Sequence, residues 1–214
     1  MNTDSMNTDT VHTNDALVTA LTASLDTDRA DLDALRARLT ERAEDEALLD
    51  VAYRIVDSPI GPLLVAASPA GLVRIAFERE GHDAVLDQLA GQISPRIMRM
   101  PARTDDVARQ LDEYFAGRRH EFDLPLDLQL VSGFRRTVIA HLPDIAYGST
   151  ASYKAVAAMA GNPTAVRAVG SACSHNPVPI VVPCHRVVRS DGSIGNYLGG
   201  VDAKATLIAL ESAA

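Results

Sequence analysis

The residues best suited to chemistry stand side by side in the last fifth of the chain, where Cys184 and His185 follow Pro183. A free thiol ionises near about 8.5, and a neighbouring imidazole can take its proton and raise the thiolate fraction. The pair therefore offers a nucleophile beside a base. The run Ile180-Val181-Val182 just before it reads as a short buried strand. That strand should stop at Pro183, because proline lacks a ladder N–H and restricts the residue before it. The other reading of such a cysteine is a small buried hydrophobe. No metal-ligand cluster competes for it: the chain has two cysteines, Cys173 and Cys184, and neither begins a CxxC pair.

The elements that must position this pair belong to a chain of ordinary globular composition. With 214 residues, 47% hydrophobic and 22% charged, it suits one large domain or two modest ones. No run of about 18 apolar residues suggests a membrane span. The start of the chain lacks the basic and apolar segments of a signal peptide, and two cysteines argue against a disulfide scaffold. A cytoplasmic location is expected. The formal net charge of −8 speaks against nucleic acid only when averaged. Residues 132–214 hold 7 basic and 4 acidic side chains, a net +3, which leaves −11 on residues 1–131. A local field counts for more than the total when phosphates are to be bound.

Three zones follow from the patterning. Residues 1–50 form an acidic extension, disordered to about Asn14 and then carrying Leu and Ala at helical spacing over 15–25 and 28–49. Residues 51–131 read as a small α+β domain. Val51–Val56, Leu63–Ala67 and Leu72–Phe77 alternate with a period of two and are separated by Ser58-Pro59-Ile60-Gly61-Pro62 and Ser68-Pro69-Ala70-Gly71, an antiparallel meander. Helices are expected over His82–Gln92 and Asp105–Ala116, and strands over Ile97–Met100 and Glu121–Leu124. His82 and His120 read as surface residues.

Residues 132–214 read as helical. Ser132 is placed to cap a helix over Gly133–Leu142, and Ser152 to cap Tyr153–Ala160. Gly161-Asn162 breaks that helix, and Pro163 suits the first turn of the next, Thr164–Ser174. Two short helices with a tight Gly turn fit a helix-turn-helix unit, although many such pairs never touch DNA. Ala165, Ala168, Gly170 and Ala172 would let a groove wall approach the second helix, and Arg167 is its one long cation. The glycine-rich run 194–200 lacks the spacing of a phosphate-binding fingerprint. Its glycines fit a backbone that passes close to a ligand or to the cysteine loop. A terminal helix over 202–211 ends at Glu211.

Pro183-Cys184-His185-Arg186-Val187 resembles the active-site motif of the O6-alkylguanine-DNA alkyltransferases, the methylated-DNA–protein-cysteine methyltransferases. The likeness runs from Phe134 to Glu211. It takes in Ser152-Tyr153, Gly161-Asn162-Pro163, Ala165 to Gly170, Asn176-Pro177, Gly195-Asn196-Tyr197, Gly199-Gly200, Lys204 and Glu211. Residues 51–131 fit the family's N-terminal domain by pattern and by the Ser58–Pro62 turn. The resemblance implies a ribonuclease H-like sheet domain followed by a winged-helix-like domain with a helix-turn-helix and a reactive-cysteine loop.

It also implies a reaction: one irreversible transfer of an alkyl group from O6 of guanine, or O4 of thymine, to a cysteine of the protein, with no cofactor. Cys184 would be the acceptor, His185 its base through a water, and Glu211 the group that orients the imidazole. Tyr153 would donate near N3 of the base, and Asn176 would hold the cysteine loop. Val187, Tyr197, Leu198 and Lys204 would border the pocket, Lys204 positioning Tyr153 or the glycine-rich loop. Ser152, Tyr153, Ala165, Arg167, Ala168 and Gly170 would meet double-stranded DNA, Arg167 filling the place of a flipped nucleotide, with Arg135 a further backbone contact. A monomer is implied, and no zinc, because the N-terminal ligands of zinc-holding members are missing. Leu198 departs from the usual small residue and is expected to narrow the alkyl pocket. Thr206 stands where an aromatic is common, and Cys173 is a nonstandard thiol that reads as packing. A relative that recognises alkylguanine without repair and a non-DNA thiol enzyme are the alternative readings. The Cys-His-Glu set opposes the first, and the small-residue helix with Arg167 opposes the second.

Overall fold

The computed structural model describes residues 49–213, together with Leu35, Arg38 and Arg42, three helical positions with exposed side chains. Apart from those positions, the expected helices over 15–25 and 28–49 lie outside the described residues. The chain divides into two compact units, residues 1–48 and 49–214.

β1 (Val51–Val56), β2 (Leu63–Ser68) and β3 (Gly71–Phe77) form the expected antiparallel meander. After helix α1 (His82–Gln92), strand β4 (Ile97–Arg99) joins the far edge of β1 in parallel, giving the order β3-β2-β1-β4. The sheet is therefore mixed rather than purely antiparallel. A crossover helix returns the chain to the end from which β3 started, so the next strand must run the same way. Sequence period and sheet faces agree on β2. Leu63 and Val65 pack toward the main core, while Leu64 and Ala66 pack with Val85 and Leu89 of α1.

Helix α2 (Asp105–Phe115) turns Val107, Leu111 and Tyr114 inward, and Gly117 (φ 68°) lets the chain leave it. The strand expected over Glu121–Leu124 does not form. Buried Gln110 of α2 takes up both backbone groups of Asp123, donating to its carbonyl at 2.8 Å and accepting from its N–H at 2.9 Å. The next residues instead cover the outer edge of β3, where the Leu72 N–H donates to the Pro125 carbonyl at 2.8 Å.

The second half is helical. α3 (Gly133–His141) follows Ser132, whose hydroxyl makes no capping bond. The left-handed φ of 58° at Gly133 departs from the ordinary helix entry. β5 (Ala151–Ser152) leads into α4 (Tyr153–Met159), which Ser152 does cap, its hydroxyl accepting from Ala155 N–H at 3.1 Å. α5 (Val166–Ser174) begins two residues later than expected. Thr164 is used in a turn instead, its hydroxyl donating to Asn162 Oδ1 at 2.8 Å. β6 (Val187–Val188) and α6 (Val201–Ser212) complete the chain.

The two halves share one interior. Val65, Ile75 and Phe77 of the sheet and Tyr114 of α2 lie in the same buried cluster as Val156, Val169, Cys184 and Leu207. The edge of β3 also reaches the segment before the cysteine, with Ile75 N–H donating to the Pro177 carbonyl at 2.8 Å. Among the described residues, no helix is long and apolar enough to cross a membrane.

Candidate active site

The segment that carries Cys184 is a knot of turns, not the strand that Ile180-Val181-Val182 suggests. Pro177, Pro179 and Pro183 remove ladder donors around it. Val182 N–H donates back to the Val178 carbonyl at 2.9 Å, and Pro179 and Val182 form a lone bridge. Ile180 sits at φ 75°, a left-handed conformation that is costly for a β-branched residue. Such strain persists where surrounding bonds fix it, and here Asn176 supplies them. Its Nδ2 donates to the Val182 carbonyl at 2.8 Å, and its Oδ1 accepts from Val178 N–H at 3.1 Å.

The same Nδ2 lies 3.1 Å from Cys184 Sγ. Cys184 opens a single 3₁₀ turn, Cys184–Arg186, and is 1% exposed. Burial pushes its thiol up to about 11, against the Asn176 hydrogen bond and the nearby Lys204 charge, which pull it down. The resting group is thus a thiol that needs a base. Cys173 is buried too, and burial followed by the nearness of Cys184 raises its thiol well above the ordinary range.

His185 is fully buried, and its Nε2 lies 2.8 Å from Glu211 Oε1. Burial outweighs the Glu211 charge and keeps the imidazole below its usual value, hence neutral. A neutral ring facing a carboxylate must donate from Nε2–H, which leaves Nδ1 as the acceptor. That Nδ1 is buried and bonds to no protein group. Glu211 lies in the last turn of α6, where the helix dipole disfavours a negative charge. Burial would raise it further, but hydrogen bonds from His185, Arg186 and Tyr114 prevail and hold it down to about 2. Arg186 grips it with Nε to Oε2 at 2.8 Å and Nη2 to Oε1 at 3.0 Å. Tyr114 donates to Oε1 at 2.7 Å, and Gly148 N–H reaches Oε2 at 3.3 Å. Sequence reasoning missed Arg186 and Tyr114. The first was read as motif context, the second as one apolar side chain of α2.

Tyr153 is brought beside the cysteine turn by strand pairing: Ala151 and Ser152 pair in parallel with Val187 and Val188. With Gly170, Ser174, Arg189, Gly195 and Asn196 it lines a cavity of about 350 Å³. Burial, and then the nearness of Cys173 and Cys184, raise its phenol, so the hydroxyl stays a donor. Gly195 is required here, since a Cβ would stand 2.8 Å from the Tyr153 hydroxyl. The other glycines answer to the sheet half rather than to a ligand or the cysteine loop. A Cβ at Gly199 would meet the Phe77 ring at 2.6 Å, and one at Gly200 the Arg79 guanidinium at 2.6 Å.

The remaining residues expected at the pocket divide. Val187 and Lys204 are buried behind it, and Lys204 Nζ donates to the Val187 carbonyl at 2.5 Å. It holds the strand that follows the cysteine turn, not Tyr153. Tyr197 lies edge-on between His185 (6.4 Å between ring centroids) and Phe77 (5.4 Å). Leu198 lines a different cavity, with Arg74, Glu80, Arg135 and His175. On α5, Arg167 is exposed, while Ala165, Ala168 and Gly170 are half-buried. A Cβ at Gly170 would meet nothing within 4 Å, so that helix face is open. Of the two histidines read as surface, His120 is exposed and stacks on Tyr147 at 4.1 Å, whereas His82 is partly buried with Nε2 enclosed.

The chain is similar to known proteins along most of its described length. Residues 51–128 match the ribonuclease-like domain, and residues 133–213 the DNA binding domain, of 6-O-methylguanine DNA methyltransferase. A methylated-DNA–protein-cysteine methyltransferase of Mycolicibacterium paratuberculosis is 42% identical over 161 residues, 75% of this chain and 92% of that protein. One from Methanosarcina barkeri is 38% identical over 159 residues, 74% of this chain and 96% of that protein. A crystal structure of Mycobacterium tuberculosis OGT in complex with DNA superposes with a TM-score of 0.65 at 38% identity, covering 76% of this chain and 93% of that one. The chain belongs to the 6-O-methylguanine DNA methyltransferase family.

Proposed function

We propose that this protein repairs DNA by moving an alkyl group from O6 of guanine onto Cys184, once per molecule. The observation that carries the assignment is the 2.8 Å pairing of His185 Nε2 with Glu211 Oε1. A neutral ring then gives Nε2–H to Glu211, and the basic Nδ1 is left buried without a protein partner on the residue that follows Cys184 in the chain. A water between Sγ and Nδ1 would pass the Cys184 proton to His185. Sγ then attacks the alkyl carbon, the carbon–O6 bond breaks, and its electron pair stays on the guanine. Charge developing on the base needs donors. Tyr153, protonated and at the cavity wall, is suited to meet N3. A thioether is the product, so the protein is consumed.

A base stacked in a duplex cannot reach a buried thiol, so the nucleotide must rotate out. α4 and α5 form the helix pair suited to DNA. Half-buried Ala165 and Ala168 and the open face at Gly170 suit close approach to a groove, and exposed Arg167 is the long cation that would fill the vacated space. Ser152, whose hydroxyl caps α4, leaves its other lone pair and proton for a phosphate of the DNA backbone. The protein is read as acting as a monomer. Recognition without repair is the weaker reading, because the thiol, its base and the carboxylate are all retained.

The test is intact-protein mass after incubation with duplex DNA carrying O6-methylguanine, followed by peptide mapping. The expected result is a single added methyl group on Cys184. An unchanged mass, or label on Cys173, overturns the assignment.

A further inference from the structure

Glu211 Oε1 accepts from three groups at once: His185 Nε2 at 2.8 Å, Tyr114 hydroxyl at 2.7 Å and Arg186 Nη2 at 3.0 Å. Two come from the cysteine turn. The third comes from α2, in the sheet half of the unit, 97 residues away in sequence. Tyr114 is wholly buried, and its phenol faces a carboxylate that can only accept, so its hydroxyl has one role there. An oxygen that already holds a strong donor attracts its other donors less.

We propose that Tyr114 is a positioning residue of the alkyl-transfer site, whose hydroxyl limits how strongly Glu211 draws on the His185 Nε2 proton and so sets the basicity of Nδ1. The proposal rests on the reading of His185 as the base of Cys184. Without the phenol, Glu211 becomes a stronger acceptor and favours the imidazolium, which cannot accept the thiol proton. With it, the neutral ring survives to lower pH. The other groups around the pair stay in place. Arg186 and Gly148 N–H hold Oε2, and the charges of Arg186 and Lys204 act on His185. Tyr197 lies edge-on to the imidazole, Tyr147 lies within electrostatic reach of Glu211, and Cys184 adjoins His185 in the chain. Among the described residues, only Tyr114 besides His185 itself brings a neutral side-chain donor to Oε1.

Packing is the competing explanation for Tyr114, whose ring contacts Phe115, Phe122 and Tyr147 at 5.4, 5.3 and 6.2 Å between centroids. Tyr114→Phe keeps the ring and removes the donor. The measurement is the pH dependence of Cys184 alkylation by free O6-benzylguanine, which needs no DNA binding. The acid limb should move up by about half a pH unit or more, with a loss of roughly threefold near its midpoint and less than about twofold on the plateau. A uniform loss at every pH, or an unmoved limb, overturns the proposal. Should the variant fail to fold, fluorotyrosine at position 114 gives the opposite test. A more acidic phenol is a stronger donor and should move the limb down; no movement, or movement up, counts against the proposal. His185→Gln separates the two levels of argument. If that variant keeps the wild-type limb, His185 is not the base and the parent reading fails; if the limb disappears, the Tyr114 result stands on its own.

Discussion

Asn176 and Cys184 are joined across the base of the cysteine turn by a 3.1 Å contact from Nδ2 to Sγ, and the same nitrogen donates to the Val182 carbonyl at 2.8 Å. One amide therefore bears on both the shape of the turn and the ionisation of the Cys184 thiol. It offsets part of the burial that makes the thiol hard to ionise.

Replacing Asn176 by Ala should raise the Cys184 pKa and slow its alkylation. A hydrogen bond to a charged group is worth about 1.5–3 kcal/mol, so a loss of roughly 10- to 100-fold is expected. The rate of mass increase with free O6-benzylguanine checks it. An unchanged rate would mean that the thiolate draws nothing from Asn176.

Stability should fall in acid in two stages. His185 and Glu211 are both held below their ordinary values, so each contributes stability that is full above its unfolded pKa and lost as pH falls through the folded one. The His185 part begins to fade below about 6.5. The Glu211 part is lost between its ordinary 4.5 and about 2. Urea unfolding at pH 7, 4.5 and 2.5 should show a fall of on the order of 2 kcal/mol across the lower interval. Glu211→Gln should flatten that interval while lowering stability at pH 7.

Arg167→Ala should slow repair of O6-methylguanine in a duplex by about tenfold or more and leave free O6-benzylguanine within about twofold. Arg167 is exposed and makes no hydrogen bond or ion pair with another described residue, so its removal disturbs nothing within the fold. Equal losses on both substrates would exclude a role in opening the duplex.

Gly195→Ala places a methyl group 2.8 Å from the Tyr153 hydroxyl and 3.5 Å from its ring. The ring must swing, carrying its donor off the position beside the cavity. Both duplex and free-base substrates should react more slowly, by about tenfold. Retained rates would show that the hydroxyl has no part in the reaction.

Much of this was legible in the chain. The meander over residues 51–77 and the Ser152 cap follow from period and capping chemistry, and the Cys-His-Glu set was implied by the family resemblance. What was not legible depended on side chains answering backbone at long range. Ile180-Val181-Val182 has the composition of a strand, but three prolines and the Asn176 amide turn it into a strained loop. Glu121–Leu124 has the alternation of a strand, but Gln110 claims its backbone. The hydrophobic pattern of α2 marks Tyr114 as inward-facing without saying that its hydroxyl ends on a carboxylate near the other end of the chain. Lys204 and Leu198 were expected at the alkyl pocket, but their partners, the Val187 carbonyl and the cavity beside Arg74, depend on the tertiary fold.

The interior shared by the sheet and the helical half has a consequence for modularity. The surface proposed to meet DNA, on α4 and α5, is built from those helices' own side chains, with Arg167 exposed and the face at Gly170 open. The thiol cannot travel with it. Its turn is tied to β3 through the Pro177 carbonyl, and its carboxylate to α2 through Tyr114. A fragment beginning at Gly133 would keep that surface and lose both ties.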